Sequence, residues 1–273
     1  MEADKLLITV APCIPPYMAK DVPGLDLSPY GIAAEVIRAC NAGANIAHLH
    51  VWDHKGSPTT DLQAFEESID LIKAGCDIII EGSTGGFNEL TPAERSISLQ
   101  ANIELASMNP GSVNYDQGVY INSPADILYW ASEMHRKTIQ PDIAIFEAGM
   151  IANSMLLAQG GLIATPYIFT FVLGQQGALP ATPKNLLFLT ESVPSGSLCF
   201  VARHSGWDIR LTVMNMILGG HARTGFEDTP YYTGGDLASS NAQLIERIVR
   251  IGRELGREPA PPEEARKILG FRR

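Results

Sequence analysis

The chain has 273 residues, 45% of them hydrophobic, and a formal net charge of −10 at pH 7. This length and apolar content are sufficient for one large domain with a sizeable core. The acidic balance argues against a nucleic-acid-binding protein, because such proteins normally carry a basic surface.

Short apolar segments typical of β-strands recur eight times along the chain. In chain order they are LLITVAP (6–12), NIAHLHVW (45–52), DIIIEGS (77–83), IELASMN (103–109), DIAIFEA (142–148), YIFTFVLG (167–174), SLCFVARH (197–204) and HARTGFED (221–228). Continuous apolar strands such as DIIIEG suit a sheet that is covered on both faces. The pattern therefore favours a buried parallel sheet.

Helix-like segments lie between most of these strands. Three of them open with Ser-Pro or Thr-Pro, a capping residue followed by a proline that the first helical turn tolerates: 27–43, 91–100 and 123–137. A fourth segment, SSNAQLIERIVRIGRELG (239–256), is long and amphipathic. Strand-helix alternation of this kind predicts parallel βαβ units.

Eight such units in a chain of this length predict a (β/α)8 TIM barrel of the α/β class, with a doubly wound open sheet as the alternative. No linker divides the sequence, so we expect a single domain over residues 1–273. Within it we predict a long proline-rich loop at 11–26 over the active face and a C-terminal extension at 257–273. The short helix of that extension could pack on another subunit.

The cellular location is predicted from three further features. The N-terminal residues MEADKLLITVAPC place acids where a secretion signal has basic residues. No run of about 18 apolar residues is present to span a bilayer. The four cysteines are widely spaced, which favours a reduced protein over a disulfide framework. We therefore expect a cytoplasmic protein with no membrane partner.

The clearest chemical signal is the pair His48 and His50 in NIAHLHVWD. Side chains at positions i and i+2 of a strand lie on the same face, so the two imidazoles are directed to one point. A metal ion suits that arrangement, although two rim or core histidines produce the same spacing. In a parallel barrel the pair falls near the carboxyl end of the second strand, where functional groups gather.

The eighth strand supplies the partners of this pair. Arg223, Gly225 and Glu227 are spaced i, i+2 and i+4, which makes Glu227 the predicted third metal ligand. Two histidines and one carboxylate leave a coordination position open, as in catalytic zinc sites. Ferrous iron accepts the same ligands. Asp228 follows the ligand directly, so strand alternation directs it elsewhere, and we predict a general base held by Arg223. The alternative for Arg223 is a structural ion pair.

A cluster of small residues, EGSTGGF (81–87), ends the third strand. Its commonest role is a tight turn, but Ser83, Thr84 and the backbone of Gly85 could bind a carboxylate or phosphate. Ser107 and Asn109 end the fourth strand and could add donors to the same pocket. The cluster matches neither a Walker loop nor the GxGxxG fingerprint.

The chain resembles the β-keto acid cleavage enzyme family in a series of motifs that occur in the same order and spacing: HLH, STGG, NPGSVNY, FEAGM, FVLG, GGHARTGFED and SNAQLIERI. The resemblance extends over residues 6–269. It implies a TIM barrel, usually a homotetramer, that binds one Zn2+ per chain. It also implies acetyl-CoA as co-substrate and a reaction that converts a β-keto acid and acetyl-CoA into acetoacetate and a new acyl-CoA.

The resemblance assigns roles by position. It places the zinc ligands on His48, His50 and Glu227, and the catalytic aspartate and its positioning arginine on Asp228 and Arg223. It places substrate-binding hydroxyls on Ser83 and Ser107, the latter in place of a threonine. The implied mechanism has the β-keto acid bound to zinc through its ketone and carboxylate. The aspartate forms an enolate, which attacks acetyl-CoA; CoA then migrates and a retro-Claisen cleavage releases acetoacetate.

Two departures from the family bear on the substrate. The members that cleave 3-keto-5-aminohexanoate hold its amino group with two glutamates, which align with Pro16 and Ala144 here. Without these acids a desolvated ammonium group has no partner. We therefore expect that the substrate is not this compound but a neutral or apolar β-keto acid, held by residues of the first loop such as Ile14, Pro16, Tyr17 and Met18.

Two other classes of protein stay open at this stage. One is a zinc hydrolase of the amidohydrolase type, which also begins with HxH in a barrel but needs further histidines on later strands. The other is a metal-binding barrel that has lost catalysis, against which Asp228 and Arg223 argue.

Overall fold

The computed structural model describes residues 5–16, 18–115, 117–204, 206 and 208–271. Its centre is a sheet of eight parallel strands: β1 (Ile8–Val10), β2 (Ile46–Leu49), β3 (Ile79–Ser83), β4 (Leu105–Met108), β5 (Gln140–Ile145), β6 (Ile168–Leu173), β7 (Leu198–Arg203) and β8 (Ala222–Thr224). The hydrogen-bonded order is β8-β1-β2-β3-β4-β5-β6-β7. Seven of the eight predicted strand segments contain one of these strands, and the remaining one, 142–148, overlaps β5, which begins two residues earlier.

The edges of this sheet, β7 and β8, meet at their starts. His221 N donates to Cys199 O at 2.7 Å. The Asn215 side-chain amide donates to the carbonyls of both residues, at 2.8 Å each. An open sheet would leave these edges apart, so the predicted barrel is confirmed over the doubly wound alternative.

Nine helices are present in the described ranges: α1 (Pro29–Asn41), α2 (Leu62–Gly75), α3 (Pro92–Arg95), α4 (Pro124–Lys137), α5 (Gly149–Gln159), α6 (Pro183–Ser192), α7 (Arg210–Ile217), α8 (Asn241–Glu254) and α9 (Pro262–Ile268). Ser28 caps α1, while Ser123 and Thr91 form capping boxes at α4 and α3. The helix predicted over 91–100 is shorter than expected. The Ser96 hydroxyl donates to the Pro92 carbonyl at 2.8 Å, and the chain continues as a 3-10 turn over Ile97–Gln100.

Three short elements lie outside the barrel. A 3-10 turn covers Ala19–Asp21 in the first loop, and one hairpin follows β4 (Val113–Tyr115 with Gly118–Tyr120). A second hairpin follows β8 (Tyr231–Thr233 with Asp236–Leu237). No helix in the described part of the chain has the length and apolar character needed to cross a membrane.

The inner face of the barrel changes character along the strands. Near the strand starts, the inward residues form an apolar layer made of Leu7, Ile46, Ile79, Leu105, Ile168 and Phe200. Buried polar groups follow further along the strands. Thr9, His48, Glu81, Ser107 and Thr170 each lie two residues after a member of the apolar layer, and Asp142 on β5 and Arg223 on β8 join them. We call these seven residues the polar layer. Because the apolar layer closes the amino-terminal end, the chemistry is confined to the carboxyl ends.

The C-terminal extension covers that closed end. Leu6 N donates to Glu258 O at 2.9 Å and Ala260 N donates to Leu6 O at 3.0 Å, so the segment before α9 runs beside the entry of β1. Ala260, Ala265 and Leu269 pack into the apolar layer. These apolar side chains are therefore buried on the helix's own barrel, and packing of the helix on another subunit stays a prediction.

Leu269→Ala should therefore destabilise the fold strongly. Leu269 is fully buried at the base of the barrel, and truncating a buried leucine typically costs about 2–5 kcal/mol. Urea unfolding followed by circular dichroism measures the loss. Leu156→Ala is the matched control, since Leu156 is 66% exposed on α5; equal unfolding free energies for the two variants would contradict the packing.

Candidate metal centre and active site

Three side chains from opposite ends of the sequence converge at the carboxyl ends of β2 and β8. Glu227 Oε1 lies 3.5 Å from His48 Nε2 and 3.6 Å from His50 Nε2. The candidate ligand atoms all lie within 4.8 Å of one another. Ligands held roughly 2.1 Å from a tetrahedral zinc ion would be about 3.4 Å apart, so this spacing fits the ion.

The local backbone explains how Glu227 reaches the two histidines. Strand β8 ends at Thr224, and Gly225 O then accepts from the backbone N–H groups of Asp228 and Thr229 in a tight turn. Gly225 has a φ of 154°, and a Cβ there would lie 2.1 Å from Ala11 O. The prediction placed Glu227 beside the histidines by strand alternation from Arg223 through Gly225. That explanation is wrong, because the strand ends at Thr224. The turn, not a continuing strand, brings Glu227 into the site.

The remaining oxygen of Glu227 supports a ligand role. Glu227 Oε2 is buried without a hydrogen-bond partner among the described residues. A buried carboxylate oxygen left unpaired is costly unless a cation or water completes it. Two imidazole nitrogens and one carboxylate are also the donor set of catalytic zinc sites. The residues present thus fit a zinc ion.

The electrostatics keep the ligands in metal-binding forms. Burial lowers the pKa of His48 to about 3, which leaves its imidazole neutral at physiological pH. Burial alone would raise the pKa of Glu227. The charged guanidinium of Arg223 opposes this effect and holds the pKa of Glu227 well below its usual range. A neutral imidazole and an ionised carboxylate are the states that a metal requires.

Arg223 ties the metal ligand to the adjacent aspartate. Its Nη2 donates to Glu227 Oε1 at 2.6 Å and to Asp228 Oδ1 at 3.1 Å, while Nε donates to Asp228 Oδ2 at 3.2 Å. Asp228 was expected to point away from Glu227, and the turn instead brings both carboxylates to one guanidinium. Burial would lower the pKa of Arg223, but Asp228 and Glu227 raise it, so the guanidinium stays charged. Asp228 is itself only 3% exposed.

A second layer of carboxylates, absent from the sequence-based prediction, lies beside the metal ligands. Glu81 Oε1 lies 2.6 Å from His48 Nδ1 and the residue is fully buried. Asp142 Oδ2 accepts from the Thr170 hydroxyl at 2.7 Å. Burial raises the pKa of both carboxyls to about 7. The available signal was an acid inside each of two apolar runs, Glu81 in IIIEG and Asp142 in DIAIF.

The predicted anion pocket is partly occupied by its own hydrogen bonds. The Thr84 hydroxyl donates to Ser107 O at 2.7 Å, and Gly85 N donates to Ser83 Oγ at 2.9 Å. The Thr84 hydroxyl and the Gly85 N–H therefore stabilise the loop itself. Neither donor is left for the carboxylate or phosphate that the sequence predicted they could bind. A Cβ on Gly85 would lie 3.0 Å from Ser83 Oγ and 3.3 Å from the Tyr120 hydroxyl oxygen, so the glycine allows the loop to lie close to these two side chains.

Three predicted polar groups remain for substrate binding. The Ser83 hydroxyl oxygen accepts a hydrogen bond from Gly85 N–H, and this bond does not use the hydroxyl hydrogen of Ser83. Ser107 is its register partner on β4, and Asn109 follows directly after that strand. Their roles as substrate-binding residues stay predictions.

A parallel barrel with a candidate metal site of two histidines and a carboxylate at its strand ends is typical of metal-dependent enzymes. Comparison with known proteins makes this specific: the chain belongs to the beta-keto acid cleavage enzyme family, whose model matches residues 5–271. It is therefore an enzyme of that family, as its motifs predicted.

Individual relatives agree with this assignment. The chain is 36% identical over 272 residues to the 3-keto-5-aminohexanoate cleavage enzyme of Fusobacterium nucleatum subsp. nucleatum, covering 99% of both chains. It is 32% identical to the 3-oxoadipate:acetyl-CoA acetyltransferase of Cupriavidus necator, covering 85% of this chain and 83% of the relative. The fold matches a structure of ObcA in a ternary complex with a C4-CoA adduct and oxalate. The TM-score is 0.74 at 17% identity, covering 91% of this chain and 68% of that one.

Proposed function

We propose that this protein is a zinc-dependent β-keto acid cleavage enzyme that uses acetyl-CoA as its co-substrate. The products are acetoacetate and the acyl-CoA of the remaining part of the β-keto acid. The observation that carries this proposal is the convergence of His48, His50 and Glu227 beside an arginine-held aspartate. The similarity to relatives named for β-keto acids and acetyl-CoA supports the reaction class.

The residues have the following roles in this proposal. His48, His50 and Glu227 would hold the zinc ion, which supplies Lewis-acid polarisation of the substrate ketone. Ser83, Ser107 and Asn109 bind the substrate's carboxylate end. Asp228 removes a proton from the carbon between the two carbonyl groups, and Arg223 fixes the orientation of that carboxylate.

The remaining steps follow from the enolate that Asp228 leaves. Its carbon attacks the thioester carbonyl of acetyl-CoA, forming a C–C bond and releasing the CoA thiolate. The thiolate then attacks the original ketone carbon, and the C–C bond next to it breaks. Acetoacetate leaves after the carbon recovers its proton. The atoms balance without water, which distinguishes the reaction from hydrolysis by an amidohydrolase-type enzyme.

We further infer that the substrate carries a neutral or apolar tail, and is not 3-keto-5-aminohexanoate. The two aligned positions are Pro16 and Ala144, so no carboxylate stands at either of them, and Ala144 is only 7% exposed. Pro16 is exposed, and Tyr17 lies outside the described residues. Asp142 is the acid nearest to Ala144 in sequence, but its raised pKa of about 7 gives it only partial charge at neutral pH. A desolvated ammonium group would lack a full counter-charge.

A panel of β-keto acids, each incubated with acetyl-CoA and the zinc-loaded enzyme, tests both parts. We expect acetoacetate and a new acyl-CoA by mass spectrometry, about one zinc per chain by elemental analysis, and a higher kcat/KM for neutral tails than for 3-keto-5-aminohexanoate. Turnover without acetyl-CoA would favour a hydrolase. If 3-keto-5-aminohexanoate had the highest kcat/KM of the panel, the inference of a neutral or apolar tail would be wrong, but the proposed reaction would stand.

A further inference from the structure

A cleft opens beside the proposed catalytic pair, between the carboxyl ends of β7 and β8. It is a shallow, open cleft: about 30 Å³ is enclosed, and the remainder of its volume of about 410 Å³ is open to solvent. Arg203, Arg223, Asp228, Tyr231 and Arg247 are among its lining residues. The proposed base therefore lies in the wall of the same open cleft as three arginines.

The charge around this cleft is positive, although the whole chain carries −10. Arg203 ends β7 and Arg247 lies on α8. The two lining acids are each bound to another arginine: Asp208 to Arg210 at 2.6 Å and Asp228 to Arg223 at 3.1 Å. Because the protein as a whole repels anions, an anionic ligand binds it only where the local charge is positive.

Arg247 is held in place before any ligand arrives. Its guanidinium lies 4.9 Å from the centre of the Tyr232 ring and donates to the Tyr232 carbonyl. Arg250, one helical turn along α8, donates to the Tyr232 hydroxyl at 3.4 Å. The hairpin after β8 thus fixes the arginine at the side of the cleft. A fixed guanidinium loses less conformational entropy when it binds an anion.

We propose that Arg203 and Arg247 bind the nucleotide phosphates of the acyl-CoA co-substrate at the mouth of this cleft, with the thioester directed toward Asp228. Arginine binds phosphate through two parallel hydrogen bonds. The loops after the seventh and eighth strands are a frequent phosphate site in TIM barrels. This inference rests on the proposed function, because only that reaction supplies a substrate that combines a thioester with distant phosphates.

Direct binding tests the proposal without turnover. Isothermal titration of the zinc-loaded protein with acetyl-CoA, in the absence of β-keto acid, should show about tenfold weaker binding for Arg247→Gln and for Arg203→Gln, as expected for a lost charged hydrogen bond. Arg253→Gln is the matched control: Arg253 lies on the same helix α8 but pairs with Glu258 at 3.0 Å, and its affinity should be unchanged.

A kinetic comparison separates phosphate binding from a general structural defect. S-acetyl-N-acetylcysteamine carries the thioester but no phosphate. The preference of the enzyme for acetyl-CoA over this compound, measured as a ratio of kcat/KM values, should fall about tenfold in Arg247→Gln. A structural defect would lower both values equally and leave the ratio unchanged. Arg203→Gln provides the same test if the Arg247 variant does not fold.

The outcomes distinguish this proposal from the function on which it rests. If the wild-type protein converts β-keto acids with acetyl-CoA but both variants bind acetyl-CoA normally, the assignment of Arg203 and Arg247 is wrong and the proposed function stands. If the wild-type protein binds acetyl-CoA through these arginines but produces no acetoacetate from the panel, the proposed function fails.

Discussion

Asp228→Asn should reduce turnover of the β-keto acid by at least about 100-fold while zinc content stays at the wild-type level. General-base catalysis typically contributes about 10²–10⁴-fold. An amide cannot accept the substrate proton at neutral pH, yet it preserves the shape of the side chain. The three metal ligands are unaltered, and Arg223 keeps its bond to Glu227. Steady-state kinetics beside elemental analysis of the same samples measures both quantities.

The control for this variant lies on the same segment of chain. Asp236→Asn removes an exposed carboxylate from the hairpin that follows β8, and we expect wild-type turnover from it. Normal turnover in the Asp228 variant would remove this residue from its proposed role. If the variant lost zinc as well as turnover, the role of Asp228 would instead be to stabilise the metal site.

A deuterium-exchange measurement sharpens the assignment further. The proposed proton removal precedes any contact with acetyl-CoA, so the wild-type enzyme should exchange the substrate's acidic methylene hydrogens with solvent in the absence of the thioester. NMR follows that exchange, and Asp228→Asn should slow it along with turnover. Exchange at the wild-type rate would mean that another group takes the proton.

The barrel could be predicted from sequence because each of its eight strands is a local pattern. Continuous apolar runs separated by capped helices carry their own evidence, and the Ser-Pro opening of α4 is met by a capping box at Ser123. The helix over 91–100 was the exception. The Ser96 hydroxyl donates to the Pro92 carbonyl one turn back, while the Ser98 hydroxyl donates to the carbonyl of Ser83 on β3, a tertiary contact that the local pattern does not contain.

The site was predicted less completely, and for a different physical reason. His48 and His50 were found because period-two spacing places both on one face. Glu227 was found by the same spacing, but it reaches the site through the turn at Gly225, which the strand pattern does not contain. Glu81 and Asp142 were missed because nothing in a single sequence shows that an acid inside an apolar strand has a polar partner on the neighbouring strand, which is His48 for Glu81 and Thr170 for Asp142.

Glu81 is the positioning residue whose replacement should weaken metal binding most clearly. Its carboxylate lies 2.6 Å from His48 Nδ1, across the register pair that joins β2 and β3. Nδ1–H donation to a carboxylate leaves Nε2 as the metal-binding nitrogen and raises its basicity. Burial raises the pKa of Glu81 to about 7, and a bound dication nearby favours the charged form. Glu81→Gln keeps the shape and removes the charge.

We expect Glu81→Gln to bind zinc about 10–100-fold more weakly, the usual effect of losing such a partner. Competition with a chromophoric chelator measures this without reference to turnover. Asp142→Asn is the matched control: it neutralises another buried acid of the polar layer, while an amide oxygen can still accept from Thr170. Because Asp142 accepts from Thr170 rather than from a metal ligand, zinc affinity should change little. Equal losses in both variants would mean that the charge of the whole layer, rather than the orientation of His48, governs metal binding.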